Sequence, residues 1–522
     1  PGGLRDGPCM RPDHQKVAVA TTSPTAADAA RETAELGGNA VDCAIAAAMC
    51  AINTQPGVCA LAGSAYVTIW APDGSPVTID GNVAVPGAGL PAGTVPDCES
   101  VTLEYGGGIT TLVGASSVAV PGTLKALSLA AARYGTLPWK ALMTPSIRAT
   151  REGFPLAAAC HYYLGYAGDV IYGRSEDGHG ALHDGEGNLL PAGSRIVVPH
   201  LADTLELLAD EGDRAFYSGE LGRRVVDYVQ DRGGLLTMDV LARYTPHVHE
   251  SLTVNVDGWR IATNPPPAIG GANLAGMLLG FGTGQFRDWD DVTLRRLIAT
   301  QEATMRFRED HLDGAVEVDE SVAELLELAR GGELISRYAS GSTVHTSAVD
   351  GTGLACAITA SSGYGAGEMP PGTGLWLNNC LGELELNLDG LDAGPPGRRL
   401  PSNMAPSCAR SENAVLAIGS PGADRITTAL HQFLINFLQR GLDLGDAVAH
   451  PRLHLMIDDD TSRIAVEPGL EVPDTGVPVV HYDKLSMFFG GVVAALFDEA
   501  DGYDVAAYPR REGGVYVGPA SH

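Results

Sequence analysis

The sequence lacks several features that mark common classes of protein. No stretch reaches about 18 uncharged apolar residues, so no transmembrane helix is expected. The nine cysteines include no C-x-x-C pair and no Cys/His cluster at zinc spacing, which fits reduced thiols inside a cell. A P-loop, a G-x-S-x-G elbow and an H-E-x-x-H motif are all absent. The first 16 residues contain no apolar core of a signal peptide, so we expect a cytoplasmic location.

Positive charge is also scarce. Lys and Arg number 34 against 63 Asp and Glu, which gives a formal net charge of −29. Such an excess of anions argues against nucleic acid and against an anionic membrane surface as partners. The apolar fraction of 45%, with 66 Gly and 33 Pro, is typical of a large, loop-rich globular enzyme. We therefore expect neither nucleic acid nor a membrane as a partner.

The pattern along the chain changes from helical to extended. Residues 39–52 are apolar on almost every side, which predicts a buried helix. Residues 343–349 and 354–361 alternate as strands around an Asp-Gly turn, which predicts a hairpin. A strand over 414–418 precedes a Gly-Ser-Pro-Gly turn and a long helix over 426–439. The sequence predicts a layered α/β body with a mostly antiparallel sheet.

A series of short strings, in this order, resembles the gamma-glutamyltransferase family of N-terminal nucleophile hydrolases. The strings are GGNAVD at 37–42, VPG at 120–122, YGTLPW at 134–139, PPP at 265–267, STVH at 342–345, LNN at 377–379, PSNMAP at 401–406, GSPG at 419–422 and AHPRLH at 449–454. The resemblance implies a four-layered αββα sandwich, made as one chain that cuts itself into two subunits.

The resemblance places the cut between Ser342 and Thr343. A large subunit of residues 1–342 and a small subunit of residues 343–522 would then form an αβ heterodimer. The hydroxyl of Thr343 would be the nucleophile, and its own α-amine, with a reference pKa of about 7.7–8.0, would accept the proton. This chemistry requires no cofactor and no metal, and we expect neither.

Further catalytic roles follow from the same resemblance. Gly422 and Ala423 stand where the family has a Gly-Gly oxyanion hole, although a turn merely capped by Asp424 is an alternative. Thr359 matches a threonine that hydrogen-bonds the nucleophile, although it could be an ordinary strand residue. His345 lies two residues after the predicted nucleophile, on the same face of its strand, and we expect a structural, hydrogen-bonded histidine.

One pair of histidines could in principle bind a metal. His247 and His249 alternate as residues of a strand do, so their side chains would share a face. No third ligand is visible near them in the sequence, so no metal site is predicted.

The residues that recognise a glutamyl group differ from the family pattern. Asn82 replaces the arginine that grips the α-carboxylate, and the loss of that charged pair would cost about 1.5–3 kcal/mol of binding. The paired serines read Ser402-Asn403, and an asparagine on the second hairpin strand reads Ser361. The aspartate that binds the α-amine corresponds to Glu383.

Three hypotheses for function follow. The first is hydrolysis of a non-glutamyl small molecule, because the chain resembles homologues from 4-alkylproline antibiotic pathways that are proposed to break a carbon–carbon bond beside a ketone. The second is a gamma-glutamyl hydrolase or transferase whose carboxylate clamp has moved to Arg398, Arg399 or Arg425. The third is a non-catalytic pseudoenzyme that does not cut itself.

Overall fold

The computed structural model describes residues 16–90, 96, 98–104, 108–312, 318–331, 343–458, 461–507 and 509–519. Ser342, one side of the predicted cut, lies outside these ranges, whereas Thr343 lies within them.

Helices dominate the large predicted subunit, and strands dominate the small one. The strands are β1 Lys16–Thr21, β2 Ser64–Trp70, β3 Val77–Gly81, β4 Glu99–Leu103, β5 Ile109–Val113, β6 Phe154–Pro155, β7 Arg195–Ile196, β8 His247–Glu250, β9 Leu252–Val256, β10 Trp259–Thr263, β11 Val344–Asp350, β12 Ala355–Ser361, β13 Ser407–Arg410, β14 Ala414–Gly419, β15 Leu453–Asp458, β16 Thr461–Val466, β17 Val479–His481, β18 Val493–Asp498, β19 Gly502–Ala506 and β20 Gly514–Pro519. The helices are α1 Pro24–Glu35, α2 Ala40–Thr54, α3 Thr123–Tyr134, α4 Trp139–Glu152, α5 Ala158–Ala167, α6 Glu176–Leu182, α7 Leu201–Glu211, α8 Arg214–Tyr217, α9 Glu220–Gln230, α10 Met238–Arg243, α11 Ile269–Phe281, α12 Asp291–His311, α13 Val318–Gly331, α14 Arg425–Leu438 and α15 Leu444–Ala449.

Two antiparallel sheets form the centre of the molecule. The first has seven strands in the order β20-β1-β11-β12-β2-β3-β8, and the second has six in the order β19-β18-β14-β13-β10-β9. Their inner faces meet in an apolar layer that includes Trp70 and Val349 from the first sheet and Val415 and Ala417 from the second. The predicted hairpin is confirmed as β11 and β12, which places Thr343 directly before a central strand.

Helices cover both outer faces. Ala44 of α2 packs in one core with Val67 of β2 and Ile358 of β12, on the outer face of the first sheet. Phe433 of α14 packs with Leu416 and Ile418 of β14 on the outer face of the second sheet. The order of layers is therefore helix, sheet, sheet, helix, which confirms the predicted αββα sandwich.

The buried helix α2 shows how the sequence sets one of these layers. It begins at Asn39, whose side chain accepts from the amide of Asp42 while the Asp42 carboxylate accepts from the amide of Asn39. Every residue of α2 is buried, as its apolar composition predicted. No helix in the described ranges combines the length and the hydropathy that crossing a bilayer would need.

Candidate active site

A small polar cavity brings together seven of the nine residues that the sequence assigned to catalysis and substrate binding. The cavity has a volume of about 30 Å³, so only a small group reaches Thr343 unless its walls move. It is lined by Ser64, Asn82, Val83, Thr343, Ser361, Cys380, Glu383, Leu386, Pro401, Ser402, Asn403, Met404, Ala423 and Ile426. Thr359 and Gly422 lie outside this lining set.

The register of the first sheet explains why residues from distant segments meet at the cavity. Ser361 of β12 pairs with Ser64 of β2. The pairing of β2 with β3 then brings Asn82, just after β3, to the next position in the same row. Thr343, just before β11, extends the row to the strand on the other side of β12. One row across four neighbouring strands therefore forms one wall of the cavity.

Thr343 itself is buried, with 2% of its surface exposed. Its carbonyl oxygen accepts a hydrogen bond from Nη1 of Arg511 at 3.4 Å. Arg511 comes from the far end of the chain and is also buried. Arg511 was not predicted as a site residue, because no local motif around it points to the site.

A second row, on the same inner face, holds a chain of hydrogen bonds that begins at Thr359. Its hydroxyl lies 2.7 Å from Nδ1 of His345, and Nε2 of that ring lies 2.9 Å from the hydroxyl of Ser347. Burial lowers the pKa of His345 to about 3, so the ring is neutral.

The direction of that chain follows from its far end. Ser347 donates its proton to the carbonyl of Val493, so its oxygen accepts from Nε2–H of His345. Nδ1 then carries the lone pair and accepts from the hydroxyl of Thr359. The oxygen lone pairs of Thr359 consequently stay available to a donor on its other side.

The turn before α14 has an unusual backbone. Gly422 has φ 129° and Ala423 has φ 68°, a left-handed conformation that costs energy for any residue with a Cβ atom. Such strain is typical of functional turns. The alternative reading, in which the turn is only capped by Asp424, is wrong, because the Asp424 side chain makes no capping hydrogen bond.

Asp424 is instead part of a buried ionic network behind the turn. Its carboxylate lies 2.6 Å from Nη1 of Arg425 and 3.0 Å from Nε2 of His454. Burial opposes ionisation, but these two neighbours outweigh it and lower the pKa of Asp424 to about 2. The network holds the first residues of α14 in place beside Ala423.

Two buried carboxyl groups, Glu383 and Glu385, lie close enough to repel each other, and Glu383 lines the cavity. Burial, and then repulsion from Glu385, raises the pKa of Glu383 well above its usual range. Burial also raises the pKa of Glu385, which accepts a hydrogen bond from the hydroxyl of Tyr364. Glu383 was predicted from the sequence, whereas Glu385 and Tyr364 were not.

No lysine or arginine of the described ranges lines the cavity. Nη1 of Arg398 donates to the carbonyl of Ala393, and Nε of Arg425 donates to the carbonyl of Phe488. The guanidinium of Arg399 lies over the Tyr244 ring at 4.3 Å. The three arginines considered as a relocated clamp are thus engaged outside the cavity wall.

The structure corrects one expectation about metal ligands. The sequence showed no third ligand beside His247 and His249, but Asp80 of the neighbouring strand supplies one. One donor atom from each of the three residues lies within 4.8 Å of the other two. The correction arises because β3 and β8 are far apart in sequence and pair only in the folded sheet.

Comparison with known proteins places these features in a family. The family model described as Gamma-glutamyltranspeptidase matches residues 26–518. The chain belongs to this family. Its members include the glutathione hydrolase proenzyme of Pseudomonas aeruginosa, which is 31% identical over 471 residues, covering 84% of this chain and 82% of that protein. The acylase ACY 1 proenzyme of Pseudomonas sp. (strain SE83) is 30% identical over 465 residues, covering 83% and 82%.

Solved structures support the same fold. Cephalosporin acylase from Bacillus halodurans superposes with a TM-score of 0.76 at 22% identity, covering 98% of this chain and 99% of that one. The protein named LmbA2991HD gives a TM-score of 0.75 at 20% identity, with the same coverage. The predicted family and fold are therefore confirmed, and this member of the gamma-glutamyltranspeptidase family is a hydrolase.

Proposed function

We propose that this family member is a self-processed N-terminal threonine hydrolase that acts on a small molecule other than a gamma-glutamyl amide. The observation that carries the proposal is the composition of the cavity wall, which contains Thr343 and no described cation. A glutamyl α-carboxylate would have to be desolvated there without a charged partner, which is unfavourable. Asn82, in the place of the family's arginine, donates its side-chain amide to the carbonyl of Leu400 instead.

The proposed maturation uses Thr343 as its own catalyst. Its hydroxyl attacks the carbonyl carbon of Ser342, the peptide bond becomes an ester, and water then hydrolyses the ester. The products are a large subunit of residues 1–342 and a small subunit of residues 343–522, held together as an αβ heterodimer. The new α-amine of Thr343 is then the base for its own hydroxyl.

We further propose that the mature enzyme cleaves a carbon–carbon bond beside a ketone, as in the homologues of 4-alkylproline antibiotic pathways that the sequence resembles. The Thr343 hydroxyl adds to the carbonyl, and the amides of Gly422 and Ala423 stabilise the oxyanion. The electron pair of the broken bond leaves as an enolate, which needs a proton. Glu383 supports this step, because a carboxyl with a raised pKa keeps a proton to donate near neutral pH. Water then releases the acyl group from Thr343. We place this activity in the cytoplasm.

Ser361, Ser402 and Asn403 complete the proposed substrate pocket. All three line the cavity and are uncharged at neutral pH. Their hydroxyl and amide groups can donate a hydrogen bond to a ketone or accept one from a hydroxyl, so they suit an uncharged polar substrate.

A second candidate is hydrolysis of a gamma-glutamyl amide. It is favoured by the 31% identity to the Pseudomonas aeruginosa glutathione hydrolase across most of both chains. This reaction would require a conformational change that brings a lysine or arginine side chain to the cavity wall.

The first experiment tests processing. Purified wild-type protein and a Thr343→Ala variant are compared by denaturing gel and intact mass, with Thr144→Ala on the exposed side of α4 as a matched control. We expect two pieces of 342 and 180 residues from the wild type and the control, and one chain from Thr343→Ala. A single unbroken chain in active wild-type material would contradict the nucleophile, and a single unbroken chain without activity would favour a pseudoenzyme.

The second experiment tests the substrate class. The processed enzyme is incubated with a chromogenic gamma-glutamyl anilide and, separately, with a panel of ketones that carry a cleavable carbon–carbon bond. We expect turnover of a ketone that is lost in Thr343→Ala, and little release from the anilide. Robust anilide turnover would overturn the non-glutamyl assignment and leave the processing proposal intact.

A further inference from the structure

A cluster of two histidines and one aspartate lies at the edge of the first sheet, outside the cavity of the proposed reaction. In the antiparallel pairing of β3 with β8, Asp80 stands opposite His247, and Thr78 stands opposite His249. Side chains two residues apart on a strand share a face, so Asp80, His247 and His249 project to the same side. We propose that these three residues bind a divalent transition metal ion such as Zn²⁺.

The two oxygens of Asp80 have separate roles, which prepares this carboxylate as a ligand. Oδ1 accepts from the backbone amide of Asn82 at 2.7 Å. Oδ2 is buried and has no hydrogen-bond partner, and only 1% of the surface of Asp80 is exposed. A buried carboxylate oxygen without a partner is costly, and a metal ion would satisfy it.

His249 shows the same signature. Its Nε2 is buried, makes no hydrogen bond, and lies 4.0 Å from the free Oδ2 of Asp80. His247 supplies the third donor within 4.8 Å of the other two, and its ring is exposed and therefore able to turn. Donors in a tetrahedral zinc site lie about 3.3 Å apart, so binding requires the 4.0 Å between His249 and Asp80 to shorten by less than about 1 Å and the His247 ring to turn toward them.

The donor set defines the class of ion. Two imidazoles and one carboxylate suit Zn²⁺, Co²⁺ and other first-row divalent ions, whereas Ca²⁺ and Mg²⁺ prefer oxygen ligands only. Arg399 is a nearby opposing charge, with its Nε 3.6 Å from Oδ1 of Asp80. The Arg399 side chain lies beside Oδ1, the oxygen that would not coordinate the metal. Its positive charge therefore lowers the affinity for the metal ion but does not block the site.

The site would connect the edge of the sheet to the cavity. The ion would cross-link the edge strand β8 to β3, and the amide of Asn82, which lines the cavity, is bonded to the same carboxylate. The proposal does not depend on the reaction of Thr343, because Asp80 and His247 lie one row, and His249 two rows, further along the sheet.

The test uses full-length, tag-free protein stripped of metal with a chelator. Co²⁺ is added and followed by its visible absorption, and Zn²⁺ is then added as a competitor. We expect one Co²⁺ per chain, displaced by Zn²⁺, with affinity at least ~10-fold weaker in His247→Gln and in His249→Gln. His481→Gln, an exposed histidine on β17, serves as the control and should bind as the wild type does.

Thermal unfolding gives an independent readout. Zn²⁺ should raise the melting temperature of the wild type and of His481→Gln, and should leave the double variant His247→Gln/His249→Gln unchanged, because only a folded site binds the ion. Absence of stoichiometric binding in the wild type would overturn the proposal and leave Asp80 and His249 as an ion pair. Undiminished binding in the double variant would overturn it as well.

Discussion

The close approach of Gly419 to His345 gives the sharpest prediction about the site. Gly419 is the last residue of β14, and a Cβ atom built on it would lie 2.1 Å from Cε1 and 2.3 Å from Nδ1 of the His345 ring. Non-bonded carbon atoms normally stay about 3.5 Å apart. The strand cannot retreat, because β14 is paired with β13 on one side and β18 on the other. A Gly419→Ala substitution must therefore displace the ring by more than about 1 Å.

Displacement of His345 breaks both of its hydrogen bonds in a buried place. The bonds to Thr359 and Ser347 are 2.7 and 2.9 Å long, and each buried group left without a partner costs about 1–3 kcal/mol. We expect Gly419→Ala to lower the free energy of unfolding by about 2–6 kcal/mol. Thr359 would also lose the acceptor that orients its hydroxyl, so self-cleavage before Thr343 should slow.

The assay compares melting temperature and the rate of appearance of the 180-residue fragment. Gly445→Ala in α15 is a matched control, because no atom lies within 4 Å of the position that its added methyl group would take. Alanine is also the better helix former by about 1 kcal/mol, so that variant should be as stable as the wild type or slightly more so. A Gly419→Ala protein with wild-type melting temperature and wild-type processing would refute the role of the His345 chain.

Two further predictions concern buried carboxylates. Because the folded protein raises the pKa of Glu383, the contribution of this group to stability is largest at low pH. That contribution falls as the pH rises above the ordinary glutamate pKa of about 4.3, by up to about 1.4 kcal/mol per pH unit until the raised pKa is passed. Melting curves of Glu383→Gln between pH 5 and 9 should fall less steeply than those of the wild type, and parallel curves would contradict the raised pKa. Asp42 accepts from the amides of Asn39 and Thr136 and from the Thr136 hydroxyl. Asp42→Asn should therefore cost about 3 kcal/mol, whereas the exposed Asp28→Asn should change stability by less than about 0.5 kcal/mol in the same denaturation assay.

The local pattern of the chain was enough to predict the elements that carry the site. The buried helix α2 follows from an apolar run that begins at Asn39. The two residues of its capping box, Asn39 and Asp42, lie within four residues of sequence. The hairpin of β11 and β12 follows from alternation on either side of an Asp-Gly turn. These features are local, because hydrogen-bond spacing and side-chain periodicity within one segment determine them. The family strings added the position of Thr343 and most of the cavity wall.

Only the tertiary structure decided which charged and polar side chains from distant segments meet, at the cavity and elsewhere in the first sheet. Arg398, Arg399 and Arg425 were equal candidates for a clamp in the sequence, and only the folded chain shows each of them bound elsewhere. Arg511 reaches Thr343 across 168 positions of sequence, and Asp80 meets His247 through strand pairing. Strand pairing and burial between distant segments produce these contacts. Neither leaves a periodic pattern in the sequence of the segments involved.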